Sequence, residues 1–471
     1  MALKNLYLFH NSPKVAFFGQ PYNILQALSS CVMILSKKCM FAVREVAMFK
    51  KNADFRCNFL IAKVFSFFFV LLIGTSVADE FHYINSLIGD RPSGMGGAYT
   101  AISTDPAGLY YNPAGIAFAH KQKFSISANA YNISTKTYKG ALRKTTGESE
   151  DWTLRSSQLI PNFFGIIYKL GNSNLGFSYA VVDSFLRDQD QVFYDIRSAI
   201  PGITITRYVI NIDDEDKVYN LGPSYAIKLK EDFSFGITLY FHYRSGKIIR
   251  NHFINLSNGE FNWENYYLSW TEYGIKPIVG FIWKPTDDLS TGLSFSRTFI
   301  LDSERKYQST WRGPSSFGFG PNDVDYRVIE SDQKRKFPYN MKFGIAYSPS
   351  TSLLLSVDMS YYTAVEDRKS VLNGAIGAEY YPTPSIALRV GGFTDFANTP
   401  KLKTGLTDQL EHIDIYGGTF SITYYRKDSF FTIGAIYSYG FGKAQVIPGA
   451  TTQQDARINS VSLFIGTGSS F

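Results

Sequence analysis

The sequence predicts an all-β protein: a transmembrane, fourteen-stranded antiparallel β-barrel with an N-terminal plug, or hatch, in its lumen. Three observations carry that expectation. Apolar residues recur at every second position in segment after segment, the period of a strand with one greasy face. The connections between segments alternate between tight turns and long polar stretches, the asymmetry of a membrane barrel. The chain is also 16% aromatic, with Tyr 32, Phe 39 and Trp 5, as expected where ring girdles mark two membrane interfaces.

Residues 1–47 show no usable periodicity and read as an N-terminal extension ahead of a start at Met48. Residues 48–78 read as a secretory signal peptide. Lys50, Lys51, Arg56 and Lys63 precede the apolar block "VFSFFFVLLI", and Ser76 and Ala78 stand at −3 and −1 of an expected cleavage after Ala78. A block of ten residues falls well short of the roughly 20 that span a bilayer as a helix. Nine of the 47 Lys and Arg and two of the 40 Asp and Glu precede residue 79, so the mature chain carries 38 of each. A neutral mature chain argues against a nucleic-acid partner. Cys31, Cys39 and Cys57 all lie in the discarded segment, which excludes a disulfide scaffold or a thiolate metal site in the remainder.

Residues 79–121 form the expected plug, placed on the periplasmic side where both termini emerge, and residues 122–471 form the barrel. Fourteen alternating segments are expected at roughly 122–134, 157–169, 175–187, 216–230, 233–246, 266–284, 289–301, 334–348, 352–363, 369–381, 385–396, 411–427, 429–442 and 457–471. In one of them Phe343, Ile345 and Tyr347 alternate with Lys342, Gly344 and Ala346; in another Leu353, Leu355, Val357, Met359 and Tyr361 share one face. The tight connections fall at 171–174, 231–232, 286–288, 349–351, 383–384 and Asp428, and the long ones at 188–215, 247–265 and 302–333. Hydrocarbon offers no hydrogen-bond partners, so a closed sheet is the β solution that leaves no backbone group unpaired there. Fourteen strands enclose more space than their own side chains fill, and the Gly-rich opening segment is the material to block it. Val461, Leu463, Ile465 and the terminal Phe471 share one parity, the pattern through which outer-membrane barrels engage the barrel-assembly machinery.

The stretch "GMGGAYTAISTDPAGLYYNPAGIA" followed by "KFSISANAY" resembles the start of the FadL-type outer-membrane transporters of long-chain fatty acids and hydrocarbons. The matching positions are Gly94, Gly96 and Gly97, then Asn112, Pro113 and Ala114. The resemblance implies passive uptake of a hydrophobic small molecule, a shifting hatch, and sideways release into outer-membrane lipid through a gap made by an inward kink of the third strand. PorV-like barrels share a similar opening. The alternative is therefore a non-transporting surface barrel that binds a secretion partner or acts as an adhesin.

On the third strand Leu175, Phe177, Tyr179 and Val181 share the outward parity and Asp183 breaks it. Either Asp183 sits at the outer interface, where a lipid-facing carboxylate is cheap, or it marks the lateral opening. Lys342, Asp358, Glu379 and Arg389 fall on the lumen parity, where they pair across strands or tether the plug; Lys342 or Arg389 could instead meet a ligand carboxylate. Leu109, Tyr110, Tyr111, Ile116 and Phe118 either line an apolar ligand pocket or pack the plug against the wall. The mature histidines (82, 120, 242, 252, 412) show no metal-ligand spacing, no cofactor motif is present, and no catalytic constellation is legible.

Overall fold

The computed structural model describes residues 81–471 apart from 85, 120, 199–201, 316–319, 321 and 448–449. The signal peptide and the extension before it lie outside the described residues. Among the described residues sixteen strands follow one another. The first six are β1 (Lys123–Arg143), β2 (Ser149–Leu170), β3 (Ser173–Arg197), β4 (Thr204–Lys228), β5 (Phe233–Leu256) and β6 (Phe261–Trp283). Then come β7 (Leu289–Ser296), β8 (Phe299–Arg312), β9 (Asp325–Ser331), β10 (Asn340–Ser350) and β11 (Leu353–Tyr362). The last are β12 (Val371–Thr383), β13 (Ile386–Asp395), β14 (His412–Arg426), β15 (Ser429–Ala444) and β16 (Gln454–Ser470).

Fourteen of them close a ring. β1 through β7 pair in sequence, β7 pairs with β10, β10 through β16 continue, and β16 returns to β1 from Lys123↔Ser470 to Tyr138↔Ala456. Every pair is antiparallel, and closure removes the free edges that hydrocarbon would not tolerate. The expected seventh segment breaks at Arg297 and Thr298: β7 stays in the ring, and β8 leaves it to pair with the outer half of β6 and with β9. The alternation is realised as two faces. Leu355, Val357, Met359 and Tyr361 of β11 point outward, while Ser356, Asp358 and Ser360 are buried inside.

The stretches 188–215 and 247–265, expected as long loops, are largely strand. The β3–β4 ladder runs on to Arg197↔Thr204 and the β5–β6 ladder to Asn255↔Phe261. Their period-two pattern continues with Asp188 and Asp190 among the exposed residues of β3, and such charge made the stretch read as loop. Inward, Phe193, Ile196, Ile210 and Ile212 join Tyr138, Leu154, Ile413 and Ile458 in an apolar cluster at the outer end. The stretch 302–333 likewise contains most of the β8–β9 hairpin.

The N-terminal segment also enters from the opposite side to that expected. The Phe81 carbonyl accepts from Asn398 N at 2.8 Å, His82 Nε2 lies 2.7 Å from the Ile413 carbonyl, and Tyr83 stacks on Tyr362 at 4.4 Å. These partners stand at the strand ends away from the tight turns. The chain then descends through the lumen and leaves at the tight-turn end, where Lys121 pairs with Asp428 at 2.6 Å and Phe471 N donates to the Gln122 carbonyl at 3.0 Å.

Candidate functional site

The plug residues fold into three short turns of helix: α1 (Asp90–Gly94), α2 (Gly108–Tyr111) and a 3-10 turn (Pro113–Phe118). Gly96 and Gly97 hold φ of 64° and 83°, left-handed backbone that side chains with a Cβ disfavour. Asn112 is wholly buried and caps the 3-10 turn: its Oδ1 accepts from Ala114 N at 3.2 Å, and Pro113 supplies a first residue with no N–H to satisfy. Its Nδ2 donates to the Thr100 carbonyl at 2.8 Å and to the Phe281 carbonyl of β6 at 3.0 Å. One amide thus joins two parts of the plug to the wall.

The wall makes room with glycine. A Cβ on Gly236 would land on the backbone of Pro113 and Ala114, one on Gly292 on the Thr100 carbonyl, and one on Gly377 on Met95. Carboxylates then fasten what the glycines admit. Asp358 Oδ2 accepts from Tyr99 N at 3.0 Å and Thr100 N at 2.8 Å. Glu379 takes both Arg91 Nε and Arg91 Nη2 at 2.9 Å, the bidentate geometry that makes such pairs strong. Asp395 accepts from Ile84 N at 3.2 Å. Within the plug the Tyr99 hydroxyl donates to Asp105, and burial followed by that carboxylate's charge holds it well above the usual phenol range.

Two cavities lie among the plug, the wall and the outer segments. The inner one, of about 430 Å³, is bordered by Tyr110, Tyr111, Asn220, His242, Lys276 and Lys342, with apolar surface from Val182, Ile278 and Phe337 among others. The outer one, of about 810 Å³, is rich in charge. There Asp216 pairs with Arg244 at 2.5 Å, Asp214 with Arg187 at 3.2 Å and Arg250 at 3.0 Å, and Glu272 with Arg335 at 3.2 Å. The inner lysines differ. Lys276 Nζ lies 4.9 Å from the Tyr110 ring centroid and Lys342 Nζ 4.9 Å from that of Tyr111, and neither forms an ion pair or hydrogen bond among the described residues.

Both cavities reach β3 at Asp183. The β3–β4 register jumps from Val181↔Tyr219 to Asp183↔Val218, so Val182 is an inserted residue. Such a bulge changes which way the following side chains face, and Asp183 turns into the lumen. The outward position that its sequence parity suggested is not the one it takes. On the other side of β3 the backbone ladder with β2 stops at Phe163↔Ala180. Pro161 follows on β2 with no N–H to offer. Beyond it side chains bridge the seam, Gln158 Nε2 to the Ser184 carbonyl at 2.8 Å and Gln189 and Gln191 Nε2 to the Thr153 carbonyl, each at 2.8 Å, until the β1–β2 connection meets β3 at the outer tip through Thr145 N and the Asp195 carbonyl at 2.7 Å.

The residues expected at a ligand site are thereby divided. Tyr110, Tyr111 and Lys342 border the inner cavity. Leu109 and Ile116 pack with Ala117, Ala119, Ile167 and Ala226. Phe118 packs with Ala114 and Ile282, beneath Lys284 Nζ at 4.0 Å. Arg389 lies outside both cavities, its Nε 2.5 Å from Glu379 Oε2 and its Nη2 2.9 Å from the Tyr425 hydroxyl. Sequence reasoning passed over Lys276 and Asn220. Their signal was lumen parity alone: Lys276 shares its face with Gly274 and Gly280, and Asn220 pairs directly across from His242. Among the described residues no group of His, Cys, Asp and Glu could hold a metal ion.

A barrel of this architecture is known. A Pseudomonas aeruginosa FadL homologue is similar with a TM-score of 0.57 at 13% identity, over 84% of this chain and 100% of its own. The toluene transporters TodX of P. putida and TbuX of Ralstonia pickettii are each similar with a TM-score of 0.54 at 13% identity, over 82% of this chain and 99% of theirs. Likeness at that identity speaks to fold alone. No curated protein matches the sequence. The family described as outer membrane protein transport protein (OMPP1/FadL/TodX) matches residues 90–456. That match spans well over half of the chain, which therefore belongs to the OMPP1/FadL/TodX family of bacterial outer-membrane β-barrels.

Proposed function

We propose that this chain takes up long-chain fatty acids by passive diffusion, gated by residues 79–121 and released sideways between β2 and β3. The observation that carries the reading is the place where the β2–β3 ladder ends, beside Asp183, at the wall of both cavities. β2 and β3 both line the outer cavity, at Ser156 and Gln158 and at Asp183 and Ser184, so along this seam its wall is closed by side chains rather than by a hydrogen-bonded ladder. An acid is favoured over a plain hydrocarbon by Lys276 and Lys342, two ammonium groups over tyrosine rings that form no ion pair among the described residues. A carboxylate head supplies the missing charge, and the apolar borders take the chain.

Uptake of radiolabelled hexadecanoate by cells that depend on this protein tests the reading. Removal of both charges by Lys276→Gln with Lys342→Gln should weaken capture of the acid roughly ten- to a hundredfold, the value of one or two charge-assisted bonds. Undiminished uptake would sink the assignment. The second reading, a partner-binding or adhesive barrel, is favoured by one observation. Among the described residues β9 pairs only with β8 and leaves an outer edge studded with exposed Tyr326, Val328 and Ile329, a template for another chain. That reading expects no ligand flux at all.

A further inference from the structure

His242 and Asn220 face one another across β5 and β4 and border the inner cavity, both almost wholly buried. His242 Nδ1 lies 3.0 Å from Asn220 Oδ1, and that contact uses one polar atom of each side chain. The other two, His242 Nε2 and Asn220 Nδ2, have no hydrogen-bond partner among the described residues. Leaving such buried groups unmade costs free energy that a fitting ligand recovers.

What they ask for follows from their chemistry. A neutral imidazole has one N–H and one bare lone pair. If Nδ1–H donates to the amide oxygen, Nε2 is left as an acceptor and the amide N–H₂ as a donor. If the amide is turned the other way, Nε2–H is the free donor and the amide oxygen the free acceptor. Either arrangement offers the cavity one donor and one acceptor side by side. A carboxylate only accepts, and an alkane does neither. A hydroxyl does both, through one O–H and its lone pairs. Lys276 lies directly across from Tyr240, one same-face step along β5 from His242, and borders the same cavity, so the hydroxyl belongs near the charged head of the ligand.

We propose that the inner cavity selects long-chain acids bearing a hydroxyl close to the carboxylate, with His242 and Asn220 reading the hydroxyl while Lys276 and Lys342 hold the carboxylate. This rests on the fatty-acid reading and narrows it to a substrate class. The pair His242–Asn220 determines specificity, and the lysines determine affinity for the acid as such.

The test is competition binding to the purified mature protein in detergent at about pH 8, where an unperturbed imidazole is neutral. The probes are hexadecanoic acid, 2-hydroxyhexadecanoic acid and 3-hydroxyhexadecanoic acid. The better hydroxy acid should bind roughly tenfold tighter than hexadecanoic acid, the return on satisfying the buried pair. His242→Phe and, separately, Asn220→Leu should bring the ratio to about one, whatever each does to the affinity for hexadecanoic acid itself. The ratio is the informative readout, since general loosening of the barrel would weaken all three ligands alike. Equal binding of the hydroxylated and plain acids by the wild type, or a ratio that survives both substitutions, overturns the proposal and leaves fatty-acid uptake standing. Binding of none of the three overturns both.

Discussion

Glu379 is the residue on which plug and wall depend together, and its environment sets a measurable order of effects. Its carboxylate is 1% exposed and receives Arg91 twice at 2.9 Å, Arg389 Nε at 2.5 Å and the Tyr381 hydroxyl at 2.7 Å. In Arg91→Ala the wall keeps its Glu379–Arg389 pair, and only the plug loses its bidentate anchor. That should cost about 1.5–3 kcal/mol, the value of hydrogen bonds to a charged group. Glu379→Gln preserves the shape but strips the counter-charge from Arg389, itself 1% exposed. Breaking a buried pair in this way costs about 3–5 kcal/mol. Urea unfolding of the detergent-solubilised protein should therefore rank Glu379→Gln as the more damaging. Planar-bilayer conductance should show the smaller lesion, Arg91→Ala, already opening the lumen. The double variant closes the cycle: coupling between the two sites should exceed about 1 kcal/mol, because both substitutions remove the same contact. Coupling near zero, or equal damage from the two single variants, would refute the shared-carboxylate account.

Three further outcomes are expected. Deleting Val182 removes the inserted residue of β3 without changing which way Asp183 faces, so β2 and β3 can pair beyond Phe163↔Ala180; on the order of three restored ladder bonds at about 1 kcal/mol each should raise the unfolding midpoint and reduce uptake, and a variant that transports at full rate would exclude the seam as the exit. Gly236→Val drives a side chain into the backbone of Pro113 and Ala114 and should displace the plug, read as raised ion conductance, whereas Gly374→Ala, where a Cβ meets nothing within 4 Å, should conduct as the wild type does. Asp358→Asn keeps an acceptor for Tyr99 N and Thr100 N but loses the charge, at an expected cost of about 1–2 kcal/mol in stability, which thermal unfolding monitored by circular dichroism would detect.

Period-two alternation made the ring legible from sequence because lipid imposes it: a residue such as Val357 must face hydrocarbon, and its neighbours Ser356 and Asp358 then must not. Where that constraint lapses, legibility lapses with it. Outside the membrane the strand residues Asp213 to Glu215 look like loop, because no solvent forces a choice of face. The bulge at Val182 hid for a related reason. Parity counting assumes one residue per rung, so a single insertion reverses every assignment above it, and Asp183 was placed on the wrong side.

The site itself was half legible for a different physical reason. Residues whose role follows from backbone demands announce themselves locally: Gly96 and Gly97 by their positive φ, Asn112 and Pro113 by capping a turn. Residues whose role depends on partners far along the chain do not. Lys342 and Arg389 look alike in sequence, both cationic and both on the lumen parity, and their difference lies entirely in Glu379. That carboxylate is directly across from Arg389, whereas Lys342 lies directly across from Ser360. The cross-strand neighbour therefore distinguishes a cation that the wall holds in an ion pair from one that it does not. The same comparison joins His242 to Asn220, 22 residues apart in the chain and adjacent in the sheet. Lumen parity nominates such candidates, and register decides among them.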